Sequence, residues 1–299
     1  MTLLAVDIGG TKTACALVTR EGVISVKRQQ PTNLSGPQGA LEQIAAYAQQ
    51  VERQPEAVGI SLPAVLEHHT DRVIWAPNLP GWRDLPFREM VQDRLKLPAF
   101  IEYDGHAAAL GEWWMGAARG YRNVVSVIIG TGIGGGLIID GALWRGRDRL
   151  AGASGWFPMM GPEGLDHWEN LAAGPGIARR AQKLIASGRA TSLDPAGVTA
   201  RAVFDAARQG DALARQVVEE TASWIGQGLA TLISLANPEI IVLGGSIGRQ
   251  GDLLLRTAQE TARRWAQPIS AHSTAIVSSV LGEEAELLGA AYTAFSRYR

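Results

Sequence analysis

Asp7 ends a short apolar run, Leu4-Ala5-Val6, and Gly9-Gly10-Thr11-Lys12 follows directly after Ile8. A carboxylate at a strand end, beside two glycines, a hydroxyl and an ammonium, suits a metal–phosphate site. The glycines let backbone N–H groups approach phosphate oxygens. Asp7 can hold Mg2+, directly or through water, and Thr11 or Lys12 can meet the anion. Taken alone, the stretch also fits an ordinary hairpin with a polar tip.

Residues 124–141, VVSVIIGTGIGGGLIIDG, repeat the arrangement: apolar strand, Gly130-Thr131-Gly132 turn, second apolar strand, polar turn at Asp140-Gly141. The matching order points to an internal duplication, and repeats outrank single motifs. Two such hairpins facing each other would grip a polyphosphate from both sides. A third glycine turn, Gly244-Gly245-Ser246, follows a strand expected over 239–243. Asp104 lies just past a strand expected over 99–102 and directly before a helix expected over 106–115. A carboxylate there can cap the helix, worth about 1 kcal/mol, or serve as a general base. The two phosphate hairpins favour the second role.

The elements that must hold these residues follow from pattern. A third strand is expected over 23–29. A helix is expected over 38–53, with Leu41, Ile44, Ala45, Ala48 and Val51 on one face. A buried strand over 58–62 stops at Pro63. The loop Pro77-Asn78-Leu79-Pro80-Gly81-Trp82 is dense in proline and aromatic residues, and so is rigid enough to hold the Asn78 amide. Residues 142–164 read as loop. Helices follow over 177–186, 198–208 and 212–236, the last stopped by Asn237-Pro238. A helix over 253–265, a strand over 274–280 and a final helix over 284–296 complete the chain. Strands alternating with helices argue for an α/β protein.

Composition sets the bounds. At 299 residues the chain suits two domains of ordinary size. A net charge of −1 gives no bulk-charge basis for a nucleic-acid or membrane partner. No apolar run reaches bilayer length, and the start lacks signal-peptide features, so a cytoplasmic protein is expected. The single cysteine, Cys15, excludes an intrachain disulfide and reads as a core residue. Several of the nine tryptophans are expected near the site.

Asp7-Ile8-Gly9-Gly10-Thr11-Lys12 together with Gly130-Thr131-Gly132-Ile133-Gly134-Gly135-Gly136 resembles the ROK family of sugar kinases and repressors, within the actin-like ATPase clan. The similarity runs from Leu3 to the last helix. It implies an α/β, two-domain ribonuclease H-like fold of the actin/hexokinase type, with a central cleft. Domains are expected over 1–118 and 119–299, the helix at about 284–297 packing back on the first.

The resemblance also implies roles. Asp7 would hold Mg2+. Gly9, Gly10, Thr11 and Lys12 would meet the transferred phosphate of ATP. Gly130, Thr131, Gly132, Gly134 and Gly135 would bind the other phosphates, and Gly244 and Gly245 would lie against the nucleoside. Asp104 would take the proton of the acceptor hydroxyl, by family habit the 6-hydroxyl of a hexose or modified hexose. Homodimerisation through the second domain is implied too. A repressor would need a DNA-binding segment ahead of the first hairpin; with Asp7 so near the start, a repressor is not expected.

On the acceptor side the chain departs from the family. Asn78 and Asp104 match its sugar-binding positions, and Glu169 matches its later Glu. Tyr103 stands where the family has Asn. The Gly-Glu-x-Gly-His segment reads Gly152-Ala153-Ser154-Gly155-Trp156, so Ala153 and Trp156 replace Glu and His. A lost hydrogen bond to a buried hydroxyl costs about 1–3 kcal/mol. The expected acceptor is therefore less polar at those positions: deoxy, substituted or a glycoside, with an aromatic face packed on it. A nucleotide- and sugar-binding sensor without transfer is the alternative. The family's zinc motif has no cysteines here, so no zinc is expected. Trp156, Phe157, Met159 and Trp168 are expected to order that loop by packing instead, with Trp82 and Trp168 near the acceptor. His167 reads as a surface residue, and His106, just after the Asp104 turn, as a helix-start residue or else a group that tunes that carboxylate.

Overall fold

The structure is a computed structural model and describes residues 1–298. The chain forms two compact units. One holds Met1–Arg122, Gly135–Gly152 and the segment from Val280 onward; the other holds Asn123–Gly134 and Ala153–Ser279. Among the described residues no helix is long and apolar enough to cross a membrane.

The first unit is built on strands β1 (Thr2–Ile8), β2 (Lys12–Thr19) and β3 (Ile24–Pro31), then helix α1 (Pro37–Gln50) and strand β4 (Val58–Leu62). A small sheet of β5 (Val65–Leu66), β6 (Val73–Trp75) and β7 (Arg83–Leu85) follows. Helix α2 (Phe87–Leu95), β8 (Ala99–Tyr103) and α3 (Asp104–Met115) come next. The main sheet has the order β3-β2-β1-β4-β8. β1 is antiparallel to β2 and parallel to β4, with Asp7 opposite Ser61, and β4 is parallel to β8, with Ser61 opposite Glu102.

Period-two alternation divides β1 between two cores. Leu4, Val6 and Ile8 join Leu41, Ile44 and Tyr47 of α1. Leu3 and Ala5 join Leu287, Leu288 and Ala291 of the last helix. Pro37 opens α1, where a missing N–H costs nothing. Trp82 is buried and packs on Phe87 at 4.4 Å, so it is a core residue rather than an acceptor-side one.

The second unit starts from β9 (Val124–Ile129) and the first residues of β10 (Ile133–Ile139); the rest of β10 and β11 (Ala142–Trp144) belong to the first unit. A short hairpin, β12 (Pro158–Gly161) and β13 (Gly164–His167), leads into α4 (Trp168–Ala172), α5 (Gly174–Ala186), α6 (Ala200–Arg208) and α7 (Ala212–Ala236). Then come β14 (Ile240–Gly244), α8 (Gly245–Gly248), α9 (Gly251–Trp265), α10 (Pro268–Ser273), β15 (Ala275–Ser278) and finally α11 (Ala285–Arg297), which lies in the first unit. The second sheet has the order β11-β10-β9-β14-β15, the same plan as the first. The duplication expected from the two hairpins is therefore present in the strand order.

Helix α7 keeps its expected bounds because both ends are chemically marked. Asp211 accepts a hydrogen bond from the Ala214 N–H at 2.9 Å, and Asn237 adopts the left-handed conformation that ends the helix before Pro238. The stretch over 142–164, expected as loop, instead contains β11, a 3-10 turn at Ser154–Trp156 and the first half of the β12–β13 hairpin. Trp168 is fully buried, stacks on Phe157 at 6.0 Å and meets Gly228 of α7, so it too is core. Trp156 is 66% exposed and does not order the loop by burial. Its ring lies on His167 at 4.9 Å.

Candidate active site

In the first unit the site gathers at the carboxyl ends of β1 and β8, where ligands bind in open α/β sheets. The turn after β1 is closed by Gly9 N–H donating to Lys12 O at 2.9 Å, and Thr32 Oγ1 donates to Gly9 O at 2.7 Å. Thr32 N–H donates to Thr11 O, which fixes the other side of the turn. Asn78 lies against this turn: a Cβ placed on Gly10 would be 3.4 Å from Asn78 Cβ. Its loop is closed by Ala76 N–H donating to Trp82 O at 3.0 Å and is anchored by buried Leu79 and Trp82. Lys12 pairs with Glu283 at 2.9 Å. Gly135 packs its backbone against Gly105 and Gly152, also in the first unit.

Asp104 is the first residue of α3, and its Oδ1 accepts from the Gly105 N–H at 2.7 Å. Burial pushes its carboxyl up to about 6, against the lowering effect of the Gly105 N–H and the nearby His106. Asp7 is likewise raised, by burial first and then by the charge of Asp104. The charge of Asp104 thus adds to burial in disfavouring the ionised form of Asp7. Tyr103 packs edge-on to His106 with ring centres 5.2 Å apart.

In the second unit, the turn after β9 is closed by Gly130 N–H donating to Gly132 O at 2.9 Å, and Gly174 N–H at the start of α5 donates to Gly130 O at 2.8 Å. Glu169 Oε2 accepts from the Ile133 N–H at 3.2 Å, and a Cβ on Gly155 would lie 2.9 Å from the same oxygen. Gly130, Thr131, Gly174, Phe204, Ser246 and Arg249 line one cavity of about 840 Å³. Gly244 and Gly245 precede its lining residue Ser246 and pack on Ile128 and Ile129 of β9. Gly245 has φ +78°, and a Cβ there would be 2.3 Å from Ile129 O, so only glycine lets β14 turn into α8 against β9.

The ROK family model matches residues 3–297. The chain belongs to the ROK family. A glucokinase of Streptomyces coelicolor is 35% identical over 309 aligned positions, with 96% of each chain covered. A glucokinase of Thermotoga maritima is 32% identical, with 97% of this chain and 96% of that one covered. Among solved structures, a ROK family glucokinase from Streptomyces griseus, in complex with glucose and AMPPNP, superposes with a TM-score of 0.85 at 32% identity, covering 99% of this chain and all of that one. The fold is accordingly of the actin/hexokinase kind seen in ROK kinases.

Within this ROK chain, three groups do more than their place in the sequence suggests. Glu286, in the first turn of α11, has its carboxyl raised by burial first, then by the charges of Asp7 and Asp104. In sequence it looks like part of a solvated run, Glu283-Glu284-Ala285-Glu286. His106 lies in the first turn of α3 as expected and is also fully buried; its Nε2 donates to Ala151 O at 2.7 Å. Glu102 is a charge inside an apolar strand, Ala99-Phe100-Ile101-Glu102, and that incongruity was the available signal.

A raised carboxyl in the fold means that the folded chain holds a proton the unfolded chain gives up. Stability from Glu286 is therefore complete below the ordinary carboxylate range and is lost as pH rises through the raised value. Glu286→Gln is expected to flatten that decline. Thermal melting of the ligand-free protein from pH 5 to 8 checks it, and the variant should gain about 2–4 °C at pH 8 for each kcal/mol relieved. Parallel melting curves for variant and wild type would sink the assignment.

Proposed function

We propose that the chain transfers the γ-phosphate of ATP to a hydroxyl of a hexose or modified hexose, the 6-hydroxyl by family habit. The chain is an ATP-dependent sugar kinase, and Asp104 is read as its general base. The observation that carries this role is the placement of Asp104 at the β8–α3 junction, where its charge is felt by Asp7, with a carboxyl raised to about 6. A base poised there is ionised at neutral pH yet basic enough to take a proton as the hydroxyl attacks. Transfer itself asks for positioning and charge neutralisation rather than covalent chemistry. Gly9, Gly10 and Thr11 would face the γ-phosphate, and Lys12 could exchange Glu283 for it. Thr131 and its neighbouring glycines would hold the remaining phosphates, with the nucleoside in the cavity lined by Ser246 and Arg249.

Mg2+ fits the residues present. Asp7 is a carboxylate disfavoured by burial and by Asp104, and a divalent cation would relieve both. Among the described residues no group of three or more His, Cys, Asp and Glu is arranged to hold a metal. Asp7 would therefore hold Mg2+ with phosphate oxygens and water completing its shell. The ion would there supply positive charge against the phosphates. The same reading carries a homodimer formed through the second unit.

On the acceptor side Glu169 has one oxygen engaged by the Ile133 N–H, and Trp156 presents an exposed ring where a family His would stand. This favours a sugar with an apolar or substituted face. A coupled ADP-release assay over glucose, mannose, N-acetylated hexosamines, deoxy sugars and glycosides tests it. The expected result is turnover, with glucose not the best acceptor. The double variant Ala153→Glu, Trp156→His should raise kcat/KM for glucose by about tenfold, the equivalent of roughly 1.4 kcal/mol from restored hydrogen bonds. ATP binding with no turnover on any acceptor would favour the sensor reading instead.

A further inference from the structure

Behind Asp104 lies a buried ion cluster that no phosphate or sugar role explains. Glu102, two residues earlier on β8, is fully buried. Its Oε2 accepts from Arg145 through Nε at 2.9 Å and Nη2 at 2.6 Å, and its Oε1 accepts from Arg149 Nη2 at 3.0 Å. His106 Nδ1 lies 3.4 Å from the same Oε1. Arg149 Nη1 donates to Asp71, and Nη2 also donates to Ile101 O at 3.1 Å. Asp71 accepts further from Arg297 at 2.9 Å and Arg88 at 3.3 Å.

Burial alone would raise the Glu102 carboxyl. The His106 hydrogen bond and the two guanidinium charges outweigh it and hold Glu102 well below the usual carboxylate range. Glu102 is therefore an ion inside the protein, and Arg149 is the group that bridges it to Asp71. Its burial is a matter of placement: in the same segment the side chain of Arg147 is 96% exposed and that of Arg149 3%. Ala151 extends the connection through His106, and Gly152 rests on Gly135.

We propose that Arg149, assisted by Arg145, is a positioning residue that locks the Asp104 junction and the 145–152 segment into one piece. Resting on the kinase reading, this assigns a single ionic tie to two tasks. It sets the direction of the general base, and it sets the course of the 145–152 segment. A planar fork is what the position requires, since one guanidinium reaches two carboxylates and a carbonyl at once, which an ammonium does not reproduce. Buried pairs are poor sources of stability but strong determinants of geometry, which fits a positioning role.

The test uses Arg149→Met and Arg149→Lys, with Arg145→Gln, a one-third exposed position, in case the first fails to fold. Amide hydrogen exchange should accelerate together in 104–110 and 145–152, with β1 unchanged. Kinetically, kcat on the best sugar should fall tenfold or more in Arg149→Met and about threefold in Arg145→Gln, while KM for ATP stays within twofold. Arg149→Lys should recover only part of kcat. Exchange that rises in one segment without the other overturns the proposal, as does full rescue by lysine. A wild-type protein that phosphorylates no sugar removes the kinase reading, and the exchange arm then decides the tie alone.

Discussion

Asp104→Asn is expected to lower kcat by about 10²–10⁴-fold, the usual contribution of a general base, while ATP still binds. Asparagine keeps the shape at the β8–α3 junction and can still accept the Gly105 N–H that Asp104 Oδ1 holds at 2.7 Å, so the fold is not the casualty. The same variant should melt higher than wild type at neutral pH. Its carboxyl, raised to about 6 by burial, costs stability once ionised, and an amide removes that cost. Lost turnover with gained stability is a signature that a damaged fold cannot imitate. In the wild type, kcat/KM for the sugar should fall about tenfold per pH unit below about 6, as Asp104 takes up its proton. Steady-state kinetics from pH 5 to 8, with calorimetric ATP binding to the variant, measures all of this. A variant that retains a tenth of the wild-type rate would remove Asp104 from the role.

Gly289→Ala is expected to be the most damaging single substitution in the first unit. A Cβ at Gly289 would lie 1.7 Å from the Ala107 carbonyl oxygen, and this seam recurs where Gly111 meets Ala285 O and Gly59 meets Ala290 O, each at 2.0 Å. These are backbone atoms, so no rotamer change makes room; α11 must move away from α3 and β4 as a body. The core that joins Leu3 and Ala5 of β1 to α11 would feel the shift, and a cost of about 3 kcal/mol or more is expected, beyond ordinary overpacking. Gly197→Ala is the control, because its nearest neighbour would be the flexible Asp194 carboxylate at 3.8 Å. Thermal melting separates the two: a large loss for Gly289→Ala and almost none for Gly197→Ala. Equal melting temperatures would mean that α3 and α11 pack less closely than described.

What sequence reveals here depends on how far apart the cooperating residues lie. The two glycine hairpins were legible because strand, turn and strand sit within about twenty consecutive residues and recur in the same order. α7 was legible because Asp211 and Asn237-Pro238 mark its ends. Trp82 and Trp168 were misjudged because an aromatic residue near a motif can face inward as easily as outward, and only packing on Phe87 and Gly228 decides it. The β12–β13 hairpin hid in a run of glycine, proline and methionine with no alternation to betray it. The ion cluster was the least legible feature. Arg149 meets Glu102 from 47 residues away and Asp71 from 78, and its neighbours Arg145 and Arg147 look identical on paper. Glu286 was lost for the same reason, as one acid among several.

The placement of α11 also dictates a timetable. β1, β4 and α3 leave the ribosome long before the helix that covers them, since the seam at Gly59, Gly111 and Gly289 is closed by a segment made after every other element. Until then the Leu3 and Ala5 face of the nascent sheet stands bare. The second unit draws only on residues up to Ser279 and so can mature first. Translation therefore leaves the strand ends that carry Asp7 and Asp104 uncovered until α11 has been made, and a chaperone that shelters exposed apolar sheet would stay longer on this half of the newborn chain.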